Sequence, residues 1–248
     1  MMGENQTKCL NCDLELLPKS QFCSNCGQST NQHRINFVYI WHELLHAFTH
    51  AEKGIFYTIL ESFRRPGIVA KEYVEGKRKK YFNPFTFLLI VIGISSLFFY
   101  KFQLIKTCNQ NVNPVTHWIN SHYNLFIYIT IPIICFFNWL FFNKSKYNYF
   151  ENLVLVVYTS AIRSIFLSFV IAPIILVVHH YYPNVCNTSS YVFYFYTLLS
   201  VIYFSWSTIV FHNQKTVWGF IKGIFVILTI NFIVGIVIAV SIYLSYQK

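Results

Sequence analysis

Four cysteines near the start of the chain have the spacing of a metal site. Cys9, Cys12, Cys23 and Cys26 form the pattern C-x2-C-x10-C-x2-C. Each C-x2-C pair turns two sulfurs toward one ion, and four thiolates complete a closed tetrahedron. We therefore predict that residues 1–30 form a zinc ribbon with a structural Zn²⁺, the alternatives being a redox dithiol and an iron–sulfur cluster. A module this small has too little core to fold without its ion.

A second metal-binding pattern lies on a predicted helix. His42 and His46 flank Glu43 in a literal H-E-x-x-H, which puts both imidazoles on one helix face with a general base between them. A third ligand is hard to find, since the chain has no Asp after Asp13. The preferred interpretation is a polar stripe on an interfacial helix. The alternative is a membrane zinc metallopeptidase. The preferred interpretation predicts that the chain is not an enzyme.

The charge of the ribbon favours a protein partner over nucleic acid. Residues 1–30 carry only Lys8 and Lys19 against three acids, whereas nucleic-acid-binding modules are basic. We predict that the ribbon is a docking surface for a protein and does not bind nucleic acid.

The composition of the remaining chain indicates a membrane protein. Of 248 residues, 55% are hydrophobic and only 11% are charged, against roughly 25% charged in soluble domains. Residues 83–248 contain eight Lys or Arg and a single acid, Glu151. This composition excludes a secreted disulfide miniprotein, a disordered chain and a cytosolic enzyme.

The predicted fold is all-α and integral to the membrane. About 20 helical residues cross a hydrocarbon core of ~30 Å. Five apolar stretches have that length, and together they make residues 83–248 a five-helix transmembrane domain. They lie near 84–105, 123–143, 152–178, 190–212 and 220–246.

The distribution of basic residues predicts the orientation. The run 77–80 and the pairs Lys144/Lys146 and Lys215/Lys222 fall on one side of the membrane if the N-terminus is cytosolic and the C-terminus outside. Thiolates also need a reducing compartment, which places the ribbon in the cytosol. Cys108 and Cys186 fall in the two outer connections, where they are either a disulfide or two unrelated thiols.

Residues 31–82 form a predicted collar of amphipathic, basic helices. Apolar residues recur at helical spacing over 35–50 and 54–63, and a short helix follows over 68–76. Residues 64–80 hold seven Lys or Arg against two Glu. Such helices lie along the inner leaflet, where each basic residue near anionic head groups contributes roughly 1 kcal/mol. The candidate lipid contacts are Arg65, Lys77, Arg78, Lys79 and Lys80; the alternative is that the run only sets the topology of the first span.

Arg163 is the one charge midway along a predicted span. Placing it there costs about 2.5–3.5 kcal/mol on insertion scales, and no acid lies at its depth. Neutral partners are Asn231, at similar depth in the fifth span, Tyr158, Ser160, Ser164 or helix carbonyls. The functional interpretation is an anion or lipid-head-group site; the structural one is an arginine bound to carbonyls or reaching the interface.

A set of short motifs between the ribbon and the first span resembles a bacterial family, the domain-of-unknown-function family number 3667. The motifs are Cys26-Gly27-Gln28, Gly54…Thr58, Arg65-Pro66-Gly67, Glu72-Tyr73, Gly76-Lys77-Arg78 and Tyr81…Asn83-Pro84-Phe85. Asp13 stands where the family commonly has Gly. The resemblance implies an inner-membrane protein with a zinc ribbon and several transmembrane helices, and it assigns no activity.

Together these features predict a non-enzymatic inner-membrane protein whose ribbon and basic collar bind or sense a partner. The alternatives are a small transporter, channel or lipid-handling protein with its site around Arg163, and the peptidase at His42-Glu43-x-x-His46. The many aromatic helix faces also make a homo-oligomer compatible with the sequence.

Overall fold

The computed structural model describes residues 7–18, 20–46, 54–102, 123–181, 186–214 and 217–229. Within these ranges the structure is helical and contains no strand, as expected for an all-α protein. The helices are α1 (Phe37–His46), α2 (Ile55–Arg64), α3 (Ile68–Val74), α4 (Pro84–Phe102), α5 (Tyr123–Phe141), α6 (Tyr149–Phe166), α7 (Ala172–Tyr181), α8 (Cys186–His212) and α9 (Val217–Thr229). A π-helical segment, Leu167–Ile171, joins α6 to α7 without a break.

Helix α6 is the central element of the bundle. It packs against α2, α3, α4, α5 and α8, and its buried residues lie on every side of the helix. Antiparallel α5 lies beside its start, where Asn138 Nδ2 donates to Asn152 Oδ1 over 2.8 Å. The Tyr158 hydroxyl donates to the carbonyl of Phe82, just before α4, over 2.5 Å. These bonds fix the positions of α4 and α5 beside α6.

Two helical stretches are long and apolar enough to cross a membrane. They are Tyr149–Val178, which includes α6, the π segment and most of α7, and Tyr194–His212 in α8. Three further apolar stretches are shorter among the fully described residues, namely Pro84–Leu97 within α4, Ile127–Phe141 within α5 and Val217–Thr229 in α9. Two candidate spans, at the positions of the third and fourth predicted spans, are thus found among the described residues, fewer than the five predicted. The predicted fifth span, 220–246, is described only as far as Thr229.

The outer surface of these helices is apolar. In α8 the exposed side chains include Tyr194, Phe195, Leu198, Ile202 and Trp206, which follow one another at helical spacing. Less than half of each candidate span is buried inside the molecule. Exposed apolar surface of this kind is typical of faces that contact a membrane or a partner.

Candidate metal centre and its junction with the helices

The four predicted cysteine ligands come together at one point. Their sulfur atoms all lie within 4.8 Å of one another, and the Sγ–Sγ distances are 3.6 Å for Cys9–Cys26 and for Cys12–Cys23. A tetrahedron with metal–sulfur bonds of ~2.3 Å has sulfurs about 3.8 Å apart, whereas a disulfide needs ~2.05 Å. The geometry therefore fits four thiolates around one ion, and the cluster can hold a metal.

The two halves of the ribbon have the same backbone geometry. The amide of Asp13 donates to the carbonyl of Cys9 and that of Gly27 to Cys23, each over 2.9 Å. Asp13 and Gly27 both have positive φ, at 59° and 68°. Short polar residues such as Asp tolerate this conformation better than most. Asp13 thus occupies the left-handed turn for which the resembling family commonly uses Gly.

The thiols of the cluster differ in acidity. Burial raises the pKa of Cys9 to about 12. Hydrogen bonding to the backbone of Cys26 lowers the pKa of Cys23 to about 7. Metal binding needs deprotonated sulfur and releases the protons, so these thiols would lose their protons when the cluster binds a metal.

Gln28 attaches the ribbon to the turn that precedes α4. Its Nε2 donates to the carbonyl of Gly76 over 2.8 Å, and its Oε1 accepts from the backbone amides of Arg78 and Lys79 over 3.1 and 3.2 Å. The side chain is only 3% exposed. We call these contacts the Gln28 clamp.

Gly76 is required at the clamp for space and for conformation. Its φ is 112°, and a Cβ at this position would lie 2.6 Å from Leu10 Cδ1 in the ribbon. The ribbon thus packs directly against the backbone of this turn. A side chain at position 76 would strain the backbone at this positive φ and would require the Leu10 side chain to shift.

A second connection joins the end of the ribbon to α6. Arg34 Nε and Nη2 donate to the two oxygens of the Glu151 carboxylate over 2.7 and 2.9 Å, and Nη2 also donates to the Lys146 carbonyl. Glu151 also forms a capping box with Asn148 at the start of α6. The single acid of residues 83–248 therefore serves to hold the ribbon segment against the helical bundle.

Three of the five predicted lipid-contact residues belong to an ion-pair cluster around Glu72, namely Arg65, Lys77 and Lys80. The Glu72 carboxylate accepts from Lys80 Nζ over 2.8 Å and from the Tyr81 hydroxyl over 2.5 Å. Lys77 Nζ and Arg65 Nη1 lie 3.6 and 3.9 Å from it. Burial raises the pKa of Glu72, but the bonds from Lys80 and Tyr81 outweigh this and leave the pKa below its usual range.

The remaining collar residues face the ribbon or a neighbouring acid. Arg65 also pairs with Glu61, and the Arg78 guanidinium donates to the His33 carbonyl over 2.6 Å and lies 4.4 Å from the centroid of the Tyr39 ring. The lipid contacts predicted at these positions stay a prediction. What the geometry adds is that Arg65, Lys77, Arg78 and Lys80 all have partners within the protein.

Several predicted site residues lie outside the described part of the chain. These are Cys108 and Asn231, together with the side chains of His42, Glu43, His46 and Cys186, whose backbones are helical. The second metal site and the Cys108–Cys186 disulfide remain predictions. Arg163 lies on α6, and its Nε atom is buried with no hydrogen-bond partner among the described residues.

Tyr158 was one of the partners predicted for Arg163, but its hydroxyl donates to the Phe82 carbonyl instead.

The predicted site residues do not include Gln28, Arg34 or Glu151. For Gln28 the available signal was its place in the Cys26-Gly27-Gln28 motif. For Glu151 it was its isolation in an otherwise acid-free region.

One family model matches the chain, over residues 52–96, and its description is "Protein of unknown function (DUF3667)". The match confirms the resemblance drawn from the motifs between Gly54 and Phe85. It covers α2, α3, the Glu72 cluster and the first part of α4, and it begins after the ribbon. No curated protein and no solved structure matches the chain.

Proposed function

Because the family model that matches residues 52–96 describes a protein of unknown function, we propose the function of this chain from its geometry. It is a non-enzymatic, multi-pass protein of the bacterial inner membrane, with a cytosolic zinc ribbon that binds a protein partner. The observation that carries the proposal is the junction, where the Gln28 clamp and the Arg34–Glu151 pair hold the ribbon against the membrane helices. Partner binding at the ribbon is thereby linked mechanically to α4 and α6.

The exposed apolar surface supports a membrane location. Three exposed tryptophans, Trp139, Trp206 and Trp218, lie near the helix ends on the ribbon side of the bundle. Tryptophan is enriched where a helix leaves the hydrocarbon core. We propose five spans with a cytosolic N-terminus, the last of them continuing from α9.

The donor set supports zinc as the metal. Four cysteine sulfurs within 4.8 Å of one another suit a soft or borderline cation in tetrahedral coordination. With no position left for water or substrate, such a site is structural. The proposal therefore gives Zn²⁺ the task of holding the ribbon in the shape that the clamp and the partner recognise.

The free surface of the ribbon supports partner binding. Leu14, Leu17 and Phe22 are 40%, 71% and 62% exposed, whereas Gln28 is buried against the turn at Gly76. A metal-stabilised module gains nothing in stability from exposed apolar side chains. Their exposure is the expected property of a surface that a protein partner covers.

The collar supports contact with the inner leaflet through α2. Its buried residues, Thr58 and Ser62, face the bundle, while Phe56, Leu60 and Phe63 are exposed. This division of polar and apolar surface is typical of a helix lying in the membrane interface. We propose that α2 places these three side chains among the acyl chains and positions the junction at head-group level.

Site-specific photo-crosslinking in native membranes tests the proposed function. A photoreactive phenylalanine analogue at Leu17 or at Phe22 is expected to give an adduct with a second protein. The adduct should disappear in a Cys23→Ser background, because the ribbon no longer folds. The matched control is the analogue at Phe56, which is exposed on α2 away from the ribbon and should give no such adduct. Absence of an adduct from both exposed positions would contradict partner binding at the ribbon.

A further inference from the structure

The two halves of the ribbon are related by an approximate local two-fold. Residues 14 positions apart make the same backbone bonds, since the amides of Cys9 and Cys23 donate to the carbonyls of Leu14 and Gln28, each over 2.8 Å. Exchanging the halves also converts one of the two sulfur pairs that lie 3.6 Å apart into the other. Leu14 and Gln28 therefore occupy equivalent positions on two equivalent faces of the ribbon.

One of these two faces is already occupied within the chain. Gln28 is 3% exposed and bonds to the backbone of the turn 76–79 through the Gln28 clamp. The turn has the sequence Gly-Lys-Arg-Lys. The occupied face of the ribbon thus docks against a basic segment.

The equivalent face around Leu14 is open in the described part of the chain. Leu14 is 40% exposed. Leu10 lies against Gly76 at the occupied face, whereas Ser24, its equivalent at the open face, is exposed. The open face therefore repeats the fold of the occupied one without a segment to cover it.

Two carboxylates flank Leu14 where the occupied face has uncharged residues. Asp13 and Glu15 are both exposed, and their equivalents beside Gln28 are Gly27 and Ser29. Neither carboxylate forms an ion pair with another described residue. We call Asp13, Leu14 and Glu15 the Leu14 face. It combines an apolar centre with a charged rim, which is the usual arrangement of a protein–protein interface.

The charge of the Leu14 face selects the kind of partner that can cover it. Two carboxylates repel nucleic acid and an anionic membrane surface, whereas they attract lysine and arginine. A basic turn already covers the equivalent face, and the Leu14 face is more negative than that one.

We propose that the Leu14 face binds a basic segment of the partner protein, with an apolar side chain on Leu14 and Lys or Arg beside Asp13 and Glu15. This inference rests on the proposed function and names the chemistry of its partner. The ribbon would then join two basic segments, one from its own chain at Gln28 and one from the partner at Leu14.

Photo-crosslinking followed by sequencing of the captured peptide tests the proposal. A photoreactive phenylalanine analogue replaces Leu14 in the full chain, the adduct is formed in native membranes, and tandem mass spectrometry reads the attached segment. We expect a segment of a second protein with Lys or Arg next to an apolar residue. The analogue at Leu17 serves instead if the change at Leu14 lowers the zinc content of the chain.

Charge variants connect the capture to the two carboxylates. Asp13→Asn/Glu15→Gln should lower the adduct yield about threefold or more, the effect of losing two exposed ion pairs. Asn tolerates the positive φ of position 13, so the ribbon should keep its zinc. The matched control is Gln21→Lys/Asn31→Lys, which changes the charge equally at exposed positions of the second half and should leave the yield unchanged.

The outcomes separate this inference from the proposed function. An adduct with a protein segment that lacks basic residues, or an equal loss of yield in both double variants, would overturn the inference and leave partner binding intact. An adduct with lipid or with a second copy of the chain would also overturn it. No adduct from Leu14 or Leu17 would contradict the proposed function as well.

Discussion

Replacing Gln28 by alanine is expected to release the ribbon from the helices while leaving its metal in place. The change removes all three bonds of the clamp and leaves the Gly76 carbonyl and the amides of Arg78 and Lys79 without their side-chain partner. Each such bond contributes about 1 kcal/mol net. A loss of about 2–3 kcal/mol in docking free energy corresponds to a ratio of docked to undocked ribbon that is lower by roughly 30- to 150-fold.

Hydrogen exchange at the amides of Arg78 and Lys79 measures this loss directly. Both amides donate to Gln28 Oε1, so their exchange should accelerate by up to the same factor in the variant. The matched control is Gln32→Ala, because the Gln32 amide donates only locally, to the Ser29 carbonyl. Unchanged exchange in Gln28→Ala, or equal acceleration in both variants, would refute the clamp. Loss of zinc in Gln28→Ala would show that Gln28 shapes the metal site itself.

Three further predictions concern the same junction. Gly76→Ala should increase proteolysis of the ribbon, because the positive φ costs about 1 kcal/mol or more with a side chain and Leu10 would have to shift from the new Cβ. Glu151→Ala should lower the free energy of unfolding, measured by chemical denaturation, by about 1–2 kcal/mol. Glu151→Gln should lower it by less, because Gln preserves the capping box and the ion pair with the largely exposed Arg34 is weak. The pKa of Glu72 is lowered, so its contribution is complete above about pH 4.5 and is lost as the pH falls through the folded value; Glu72→Gln should flatten the stability profile in that acidic range. An unchanged profile would contradict the Glu72 cluster.

The metal cluster could be predicted from the spacing of its cysteines, because its geometry depends mainly on residues close together in the sequence. The C-x2-C pairs specify their own turns, and the sulfurs meet as expected. The left-handed turn at Asp13 could not be read in the same way. Asp is tolerated at a positive φ but does not require one, so an Asp at position 13 does not predict the left-handed conformation.

Helix positions were predictable from hydropathy and helical spacing, but their pairing was not. The sequence shows seven basic residues over 64–80 and suggests a lipid-facing surface. In the folded chain Arg65, Lys77 and Lys80 converge on Glu72, because the turn between α3 and α4 brings the basic run back toward α3. The contact between Arg34 and Glu151 joins residues 117 positions apart, and a single sequence contains no signal for such a pair.

The zinc content of the purified full chain, measured beside two variants, tests the central claim most directly. We expect one zinc per chain in wild type and in the double variant His42→Ala/His46→Ala, and none in Cys23→Ser. That result would place the metal in the ribbon. Two zinc ions in wild type and one in the histidine variant, or zinc retained in Cys23→Ser, would contradict the account and favour a metallopeptidase.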